Sequence, residues 1–83
     1  MYSMRKNRRD YYITTKEELA YNLRSMREDR DLTQREIANM LYVDRSTYTY
    51  YENGKNLPDI FTIIKLAKFY DVDIRYILMN LRK

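Results

Sequence analysis

Between Leu32 and Gly54 the chain carries two helical periods, each opened by a residue type that caps helices, and joined by very few residues. Thr33-Gln34-Arg35-Glu36 reads as a capping box, in which the threonine hydroxyl accepts from the third N–H of the helix and the glutamate reaches back to the Thr33 N–H. Ile37, Ala38 and Leu41 then recur at helical spacing. After Tyr42 and Val43, Asp44 is a good N-cap for a second period in which Thr47, Tyr48 and Tyr51 face inward. Asn53-Gly54 ends it, because glycine takes the left-handed conformation at a C-terminal cap.

A linker this short does not let the two helices lie antiparallel. They must cross steeply over a three- or four-residue turn, which makes a helix-turn-helix, the motif that presents its second helix to the major groove of DNA. The flanking sequence supplies three more helices. Thr15-Lys16-Glu17-Glu18 is another capping box, followed by Leu19, Leu23 and Met26 on one stripe up to about Arg30. Pro58-Asp59 opens a helix with Ile60, Ile63, Leu66, Ala67 and Tyr70 on one side. Asp73 caps a last one holding Ile74, Ile77, Leu78 and Leu81. The β-branched residues follow helical rather than alternating spacing, so no strand is expected and the fold class is all-α, a compact five-helix domain.

Composition narrows the function classes. A chain of 83 residues suffices for one domain with a modest core. With neither cysteine nor histidine, disulfides and thiolate metal sites are ruled out, and the usual nucleophile–base pairs are missing. An enzyme, a cofactor and a small-molecule ligand site are therefore not expected. Lys65 and Lys68 interrupt the best apolar run well short of the roughly 20 residues that span a bilayer. No apolar segment follows the basic first residues, so a secretory signal is not expected and the protein reads as cytoplasmic. Residues 1–9 hold Arg5, Lys6, Arg8 and Arg9 and no acid, which accounts for the whole net charge of +4. Residues 1–14 thus read as a basic arm ahead of a domain over 15–83. The arm is either a solvated tail or a segment that lies along phosphates or enters a minor groove.

Residues 19 to 78 resemble the lambda-repressor/Cro-like, or XRE-type, helix-turn-helix family. The resemblance is carried by Leu23-Arg24-Ser25-Met26-Arg27, Leu32-Thr33-Gln34, Ile37-Ala38, Val43, Tyr51-Glu52-Asn53-Gly54-Lys55, Pro58 and Leu66-Ala67-Lys68, in order and without insertion. None of these segments is specific alone; the ordered set is. It implies a five-helix domain whose second and third helices form the reading unit, operator binding as a repressor, and a dimer. It also implies that Arg27 and Glu52 form the structural pair that joins the first and third helices. The chain departs from the family at three turns where glycine is usual, carrying Asp31, Tyr42 and Asp71. If Tyr42 keeps a positive φ there, it costs on the order of 1 kcal/mol relative to glycine.

Within that frame the outer face of the third helix presents Arg45, Ser46, Thr49 and Tyr50 as base readers, with Arg45 placed for a bidentate contact to guanine. Ser46 and Thr49 suit bases or phosphates, and Thr49 also suits a thymine methyl; Tyr50 offers a hydroxyl and a ring. Gln34 and Arg35, at the first turn of the second helix, point with its N-terminus toward a phosphate. Asn53, Lys55 and Asn56 resemble the family's phosphate-contacting loop, with exposed backbone N–H groups and the Lys55 ammonium setting register. Tyr48, Tyr51 and Tyr70 fall on apolar stripes and read as core, each needing a partner for its hydroxyl. A reading unit of one short helix covers only about four or five base pairs, so a two-fold pair with half-sites about 34 Å apart is expected. Tyr76, Ile77, Met79 and Leu81, joined by Phe61, are the expected dimer interface. Double-stranded DNA is the expected partner. The alternative is an antitoxin or module on the same fold that binds a protein partner, because fold alone does not decide function.

Overall fold

The computed structural model describes residues 15–79. Five helices follow in order: α1 (Lys16–Asp29), α2 (Gln34–Leu41), α3 (Arg45–Glu52), α4 (Ile60–Tyr70) and α5 (Arg75–Leu78), with no strand element among the described residues. The basic arm and Leu81 lie outside the described residues.

Both capping boxes form. Thr15 N–H donates to Glu18 Oε1 and Glu18 N–H to Thr15 Oγ1, each at 3.1 Å. The Thr33 and Glu36 pair repeats the exchange at 2.8 and 3.1 Å. Asp59 caps α4 by accepting from Thr62 N–H at 2.8 Å. Asp44 stands at the N-cap of α3 with extended backbone, but its side chain makes no capping hydrogen bond. There it acts through charge at the positive end of the helix instead.

Four helices end in the same way. Leu32, Val43, Lys55 and Val72 each donate a backbone N–H to the carbonyl five residues earlier, on Arg27, Ala38, Tyr50 and Ala67 respectively. Such a bond needs a left-handed residue just before the donor. Those residues are Asp31 (φ 55°), Tyr42 (φ 60°), Gly54 (φ 79°) and Asp71 (φ 57°). Three non-glycine residues thus adopt the conformation that the family meets with glycine. Leu32, Val43 and Val72 then fold back onto the core, which supplies the apolar contact that usually accompanies this cap.

The core gathers Leu19, Leu23 and Met26 from α1, Ile37, Ala38 and Leu41 from α2, Tyr48 from α3, Ile63, Leu66, Ala67 and Tyr70 from α4, and Ile77 from α5. Arg30 ties the ends of α1 and α4 together: its guanidinium lies 4.7 Å from the Tyr70 ring centroid and donates to the carbonyls of Met26 and Tyr70. The buried Asn22 side chain on α1 donates to the Ile77 carbonyl at 3.1 Å and holds α5 in place.

Two expectations are corrected here. Ile77 is fully buried and cannot belong to a dimer interface; α5 is a single turn, and Ile77 is the side chain that plugs it into the monomer core. Ile74 and Leu78 also pack against that core, so of the apolar side chains of α5 it is Tyr76, 42% exposed, that lies outside. Ile60, placed on the inner stripe of α4 by periodicity, is 51% exposed, since it borders an open apolar groove between the starts of α1 and α4 that is not filled by the core. Among the described residues, no helix is long and apolar enough to cross a membrane.

Candidate nucleic-acid interface

Three residues, Tyr42 to Asp44, carry the chain from α2 into α3, and the left-handed Tyr42 makes the reversal that lets the helices cross. Ala38 is 1% exposed and Ile37 and Tyr48 are fully buried; a larger residue than alanine at the crossing would separate the two axes. Tyr48 also packs edge-on against Tyr51, with ring centroids 6.1 Å apart. With that side of α3 sealed, Arg45, Ser46 and Tyr50 are left exposed and Thr49 half-buried.

Beneath the exposed face lies a charged hub. Glu52 is 2% exposed, and its carboxylate accepts from Arg27 Nε at 2.7 Å, Arg27 Nη2 at 2.9 Å, Gln34 Nε2 at 3.1 Å and the Tyr48 hydroxyl. Arg27 Nη1 donates to the Leu32 carbonyl at 2.8 Å, so the same guanidinium also closes the turn after α1. Burial by itself pushes the Glu52 carboxyl up, but the hydrogen bonds from Arg27, Tyr48 and Gln34 more than offset it and leave its pKa below the usual value. The hydrogen bond to Glu52 in turn raises the pKa of Arg27. Tyr48 is held neutral, its pKa raised first by burial and then by donation to the carboxylate.

Gln34 departs from its expected role. Its amide is directed inward, Nε2 to Glu52 and Oε1 accepting from Thr49 Oγ1 at 2.8 Å, so the side chain is a brace between α2 and α3 rather than a free phosphate ligand. Arg35 is exposed, and it shares an open cleft at the start of α2 with Arg27, Leu32, Thr33, Gln34 and Arg45. Neither Arg35 nor Arg45 forms an ion pair among the described residues, which leaves two cations at the rim of that cleft.

The loop after α3 is more closed than expected. Lys55 N–H is shared between the Tyr50 carbonyl and Asn53 Oδ1, and Asn56 N–H also reaches the Tyr50 carbonyl. The backbone donors of Lys55 and Asn56 are therefore already occupied, and the side chains of Asn53, Lys55 and Asn56, all exposed, are what this loop offers outward. Lys55 Nζ lies 5.2 Å from the Tyr50 ring centroid, which couples a base-reading candidate to a phosphate-binding one.

Sequence reasoning missed the Tyr48–Glu52 and Gln34–Thr49 contacts. The first had a signal, since residues four apart on a helix are neighbours. The second joins two helices across a turn and had none. Met79, half-buried, and Tyr76 sit at the far end of the chain from this surface and belong to α5 and its cap.

Comparison with known proteins agrees with this architecture. A helix-turn-helix family model matches residues 23–77. The chain is 48% identical over 52 residues to the cryptic phage CTXphi transcriptional repressor RstR of Vibrio cholerae, covering 63% of this chain and 47% of that protein. It is 39% identical over 57 residues to the HTH-type transcriptional regulator YqaE of Bacillus subtilis (strain 168), covering 69% and 49%. The chain thus spans about half the length of these relatives. Among solved structures it superposes on a transcriptional regulator from Listeria innocua with a TM-score of 0.71 and 29% identity, over 78% of this chain and 61% of that one. The restriction-modification controller protein C.AhdI from Aeromonas hydrophila gives 0.68 and 27%, over 75% and 90%. From the crossing of α2 and α3 over the left-handed Tyr42 and from these matches, the chain belongs to the lambda-repressor-like, XRE-type helix-turn-helix family, a family of transcription regulators and not of enzymes.

Proposed function

We propose that this protein is a sequence-specific regulator that binds double-stranded DNA through α3, acting in the cytoplasm as a repressor on a two-fold-symmetric operator. The observation that carries the reading is the asymmetry of α3: one side is sealed by Tyr48 and by the buried Glu52 hub, while Arg45, Ser46, Thr49 and Tyr50 stand on the side left open. Arg45 takes a base edge, guanine first, because its fork matches two acceptors. Arg35, Asn53, Lys55 and Asn56 hold phosphates on either side and set register. The α2 N-terminus contributes its helix dipole, with Gln34 bracing it from behind.

A single reading helix covers too few base pairs for a unique site, so two copies engage half-sites about 34 Å apart. Large apolar residues left exposed outside α3 include Ile60, Phe61 and Ile64 on α4 and Tyr76 on α5, besides Tyr21, Tyr42, Leu57 and Phe69. Ile60, Phe61 and Ile64 share one helical face by their spacing of three and four. Phe61 is 75% exposed, so Phe61→Asp can be made without disturbing the monomer, and in a two-fold contact the charge is introduced twice. The test is selection of the full chain against random duplexes, followed by footprinting and sedimentation of the unmodified protein and of Phe61→Asp. A two-fold-symmetric preferred site, and a Phe61→Asp variant that is monomeric, folded and weak on that site, support the reading. Equal binding to all duplexes removes the specific function, and a monomer bound to a single half-site removes the symmetric one.

A further inference from the structure

We propose that Gln34 is a positioning residue that fixes the hydrogen-bond polarity of Thr49, so that Thr49 presents only acceptor lone pairs to the DNA and selects a base that offers an amino group. This rests on the reading that α3 enters the major groove. The Glu52 carboxylate, kept ionised by two hydrogen bonds from Arg27, is acceptor-only. The Gln34 amide beside it must therefore turn its NH2 group toward Glu52, because the opposite orientation would set a carbonyl oxygen against a carboxylate. That leaves Gln34 Oε1 facing Thr49, and the 2.8 Å contact requires Thr49 to be the donor. A threonine hydroxyl has one proton and two acceptor lone pairs. With the proton committed inward, the outward side of Oγ1 can only accept.

In the major groove the donors on base edges are the amino groups of adenine and cytosine, while guanine shows only the acceptors N7 and O6. A free threonine hydroxyl would rotate to suit either kind of base. The braced one accepts from an amino group and meets a guanine edge with lone pairs against lone pairs. Arg45, the guanine-seeking residue on the same face, and Thr49 are thus set to opposite polarities, one a donor only and the other an acceptor only.

The experiment begins with the preferred duplex selected by the full chain. Thr49→Val removes the hydroxyl at constant shape and identifies the base pair that Thr49 reads. At that pair, deleting the exocyclic amino group (adenine to purine, or cytosine to 2-pyrimidinone) should weaken the unmodified protein about fivefold, the factor that one net hydrogen bond carries, and leave Thr49→Val unaffected. Substituting guanine should weaken the unmodified protein further, and Gln34→Met, which frees the Thr49 proton, should shrink that guanine penalty by about fivefold at an unchanged salt slope. If Gln34→Met does not fold, guanine substitution still decides, because a free hydroxyl would donate to a guanine edge whereas the braced one adds a guanine penalty that Thr49→Val lacks. A change of preference in Thr49→Val with a neutral amino deletion, or a full guanine penalty kept by folded Gln34→Met, overturns the polarity argument while base reading by Thr49 stands. No change of preference at any pair in Thr49→Val removes base reading by Thr49, and the proposal with it.

Discussion

Truncating Arg27 tests the energetics of the buried hub most directly. In Arg27→Ala the Glu52 carboxylate, 2% exposed in the unmodified protein, loses two of its hydrogen bonds and its counter-charge, with only the neutral donors Tyr48 and Gln34 left. The Leu32 carbonyl in the turn loses its donor as well. Removing one partner of a buried, hydrogen-bonded ion pair costs roughly 3–5 kcal/mol, against about 1 or less for an exposed pair. A domain of this length has a total stability of about 4–12 kcal/mol, so the loss should consume a large part of it. Urea unfolding followed by far-UV circular dichroism at neutral pH measures the cost, with a stabilising salt such as sulfate present to keep a folded baseline. The exposed Arg75–Asp73 pair, its side chains 67% and 52% accessible, is the internal control: Arg75→Ala should hardly move the midpoint. In the double variant Arg27→Met with Glu52→Leu no charge remains buried, so part of the loss should return, though Tyr48 and Gln34 then lack their acceptor. An Arg27→Ala cost below about 1 kcal/mol, or single-variant costs that simply add in the double variant, would refute the picture of an uncompensated buried carboxylate.

Four further outcomes are expected. Because the Glu52 pKa is lower in the folded state, the unfolded chain takes up the proton first as pH falls, so the stability from this group is full above the unfolded carboxyl pKa and is lost on acidification through the folded value; Glu52→Gln should flatten that acid limb in urea midpoints measured against pH. The Tyr70 hydroxyl is buried without a hydrogen bond of good geometry among the described residues, with Tyr48 as a polar neighbour, and burial raises its pKa to about 12; Tyr70→Phe should be neutral or stabilising by up to about 1 kcal/mol in thermal melts, and should lessen the loss of stability expected of the unmodified protein above pH ~10. Tyr42→Gly should raise stability by up to about 1 kcal/mol, relief of the left-handed backbone being partly offset by glycine's greater unfolded entropy and by loss of the contact with Lys65 Nζ, whereas Gly54→Ala should cost about 1 kcal/mol from φ alone, as its added Cβ meets nothing nearer than 4.0 Å. On the selected duplex, Arg45→Ala should relax preference at one base pair and cost about 1–3 kcal/mol, while Lys55→Ala should weaken all duplexes alike and lower the salt slope by about one; uniform loss in both would refute the division between them.

What was legible in the sequence was local chemistry. A capping box is complete within four residues, so Thr15–Glu18 and Thr33–Glu36 announce two helix starts without knowledge of the fold. The positions of Asp31, Tyr42 and Asp71 were visible only through the family resemblance, because nothing in their own side chains demands a positive φ. Periodicity located the inner stripe of α4 but could not say how far along that stripe the cover extends, hence the misplaced Ile60. It also gave α5 more length than one turn sustains, and so spent Ile77 on a partner when the core had already taken it. The Gln34 brace was hidden for a different reason. Its partners lie 15 and 18 residues away, and an amide at a helix start looks the same whether it faces a phosphate or a buried carboxylate.

The groove beside α1 bears on how this domain joins whatever chain surrounds it. Thr15 and Lys16, where the described domain begins, and Leu78, where α5 ends, line the same apolar groove together with Leu57, Pro58 and Ile60. Entry and exit of the chain therefore adjoin at one edge. Adjoining ends are what make a domain easy to insert into another protein or to permute circularly with a short linker. They also set Thr15 and Leu78, near the two ends of the described residues, beside one another. A mechanical pull applied between them would act across that single edge and would peel the one-turn α5, held by Ile77 and Asn22, before it loaded the braced helices that carry Arg45 and Thr49.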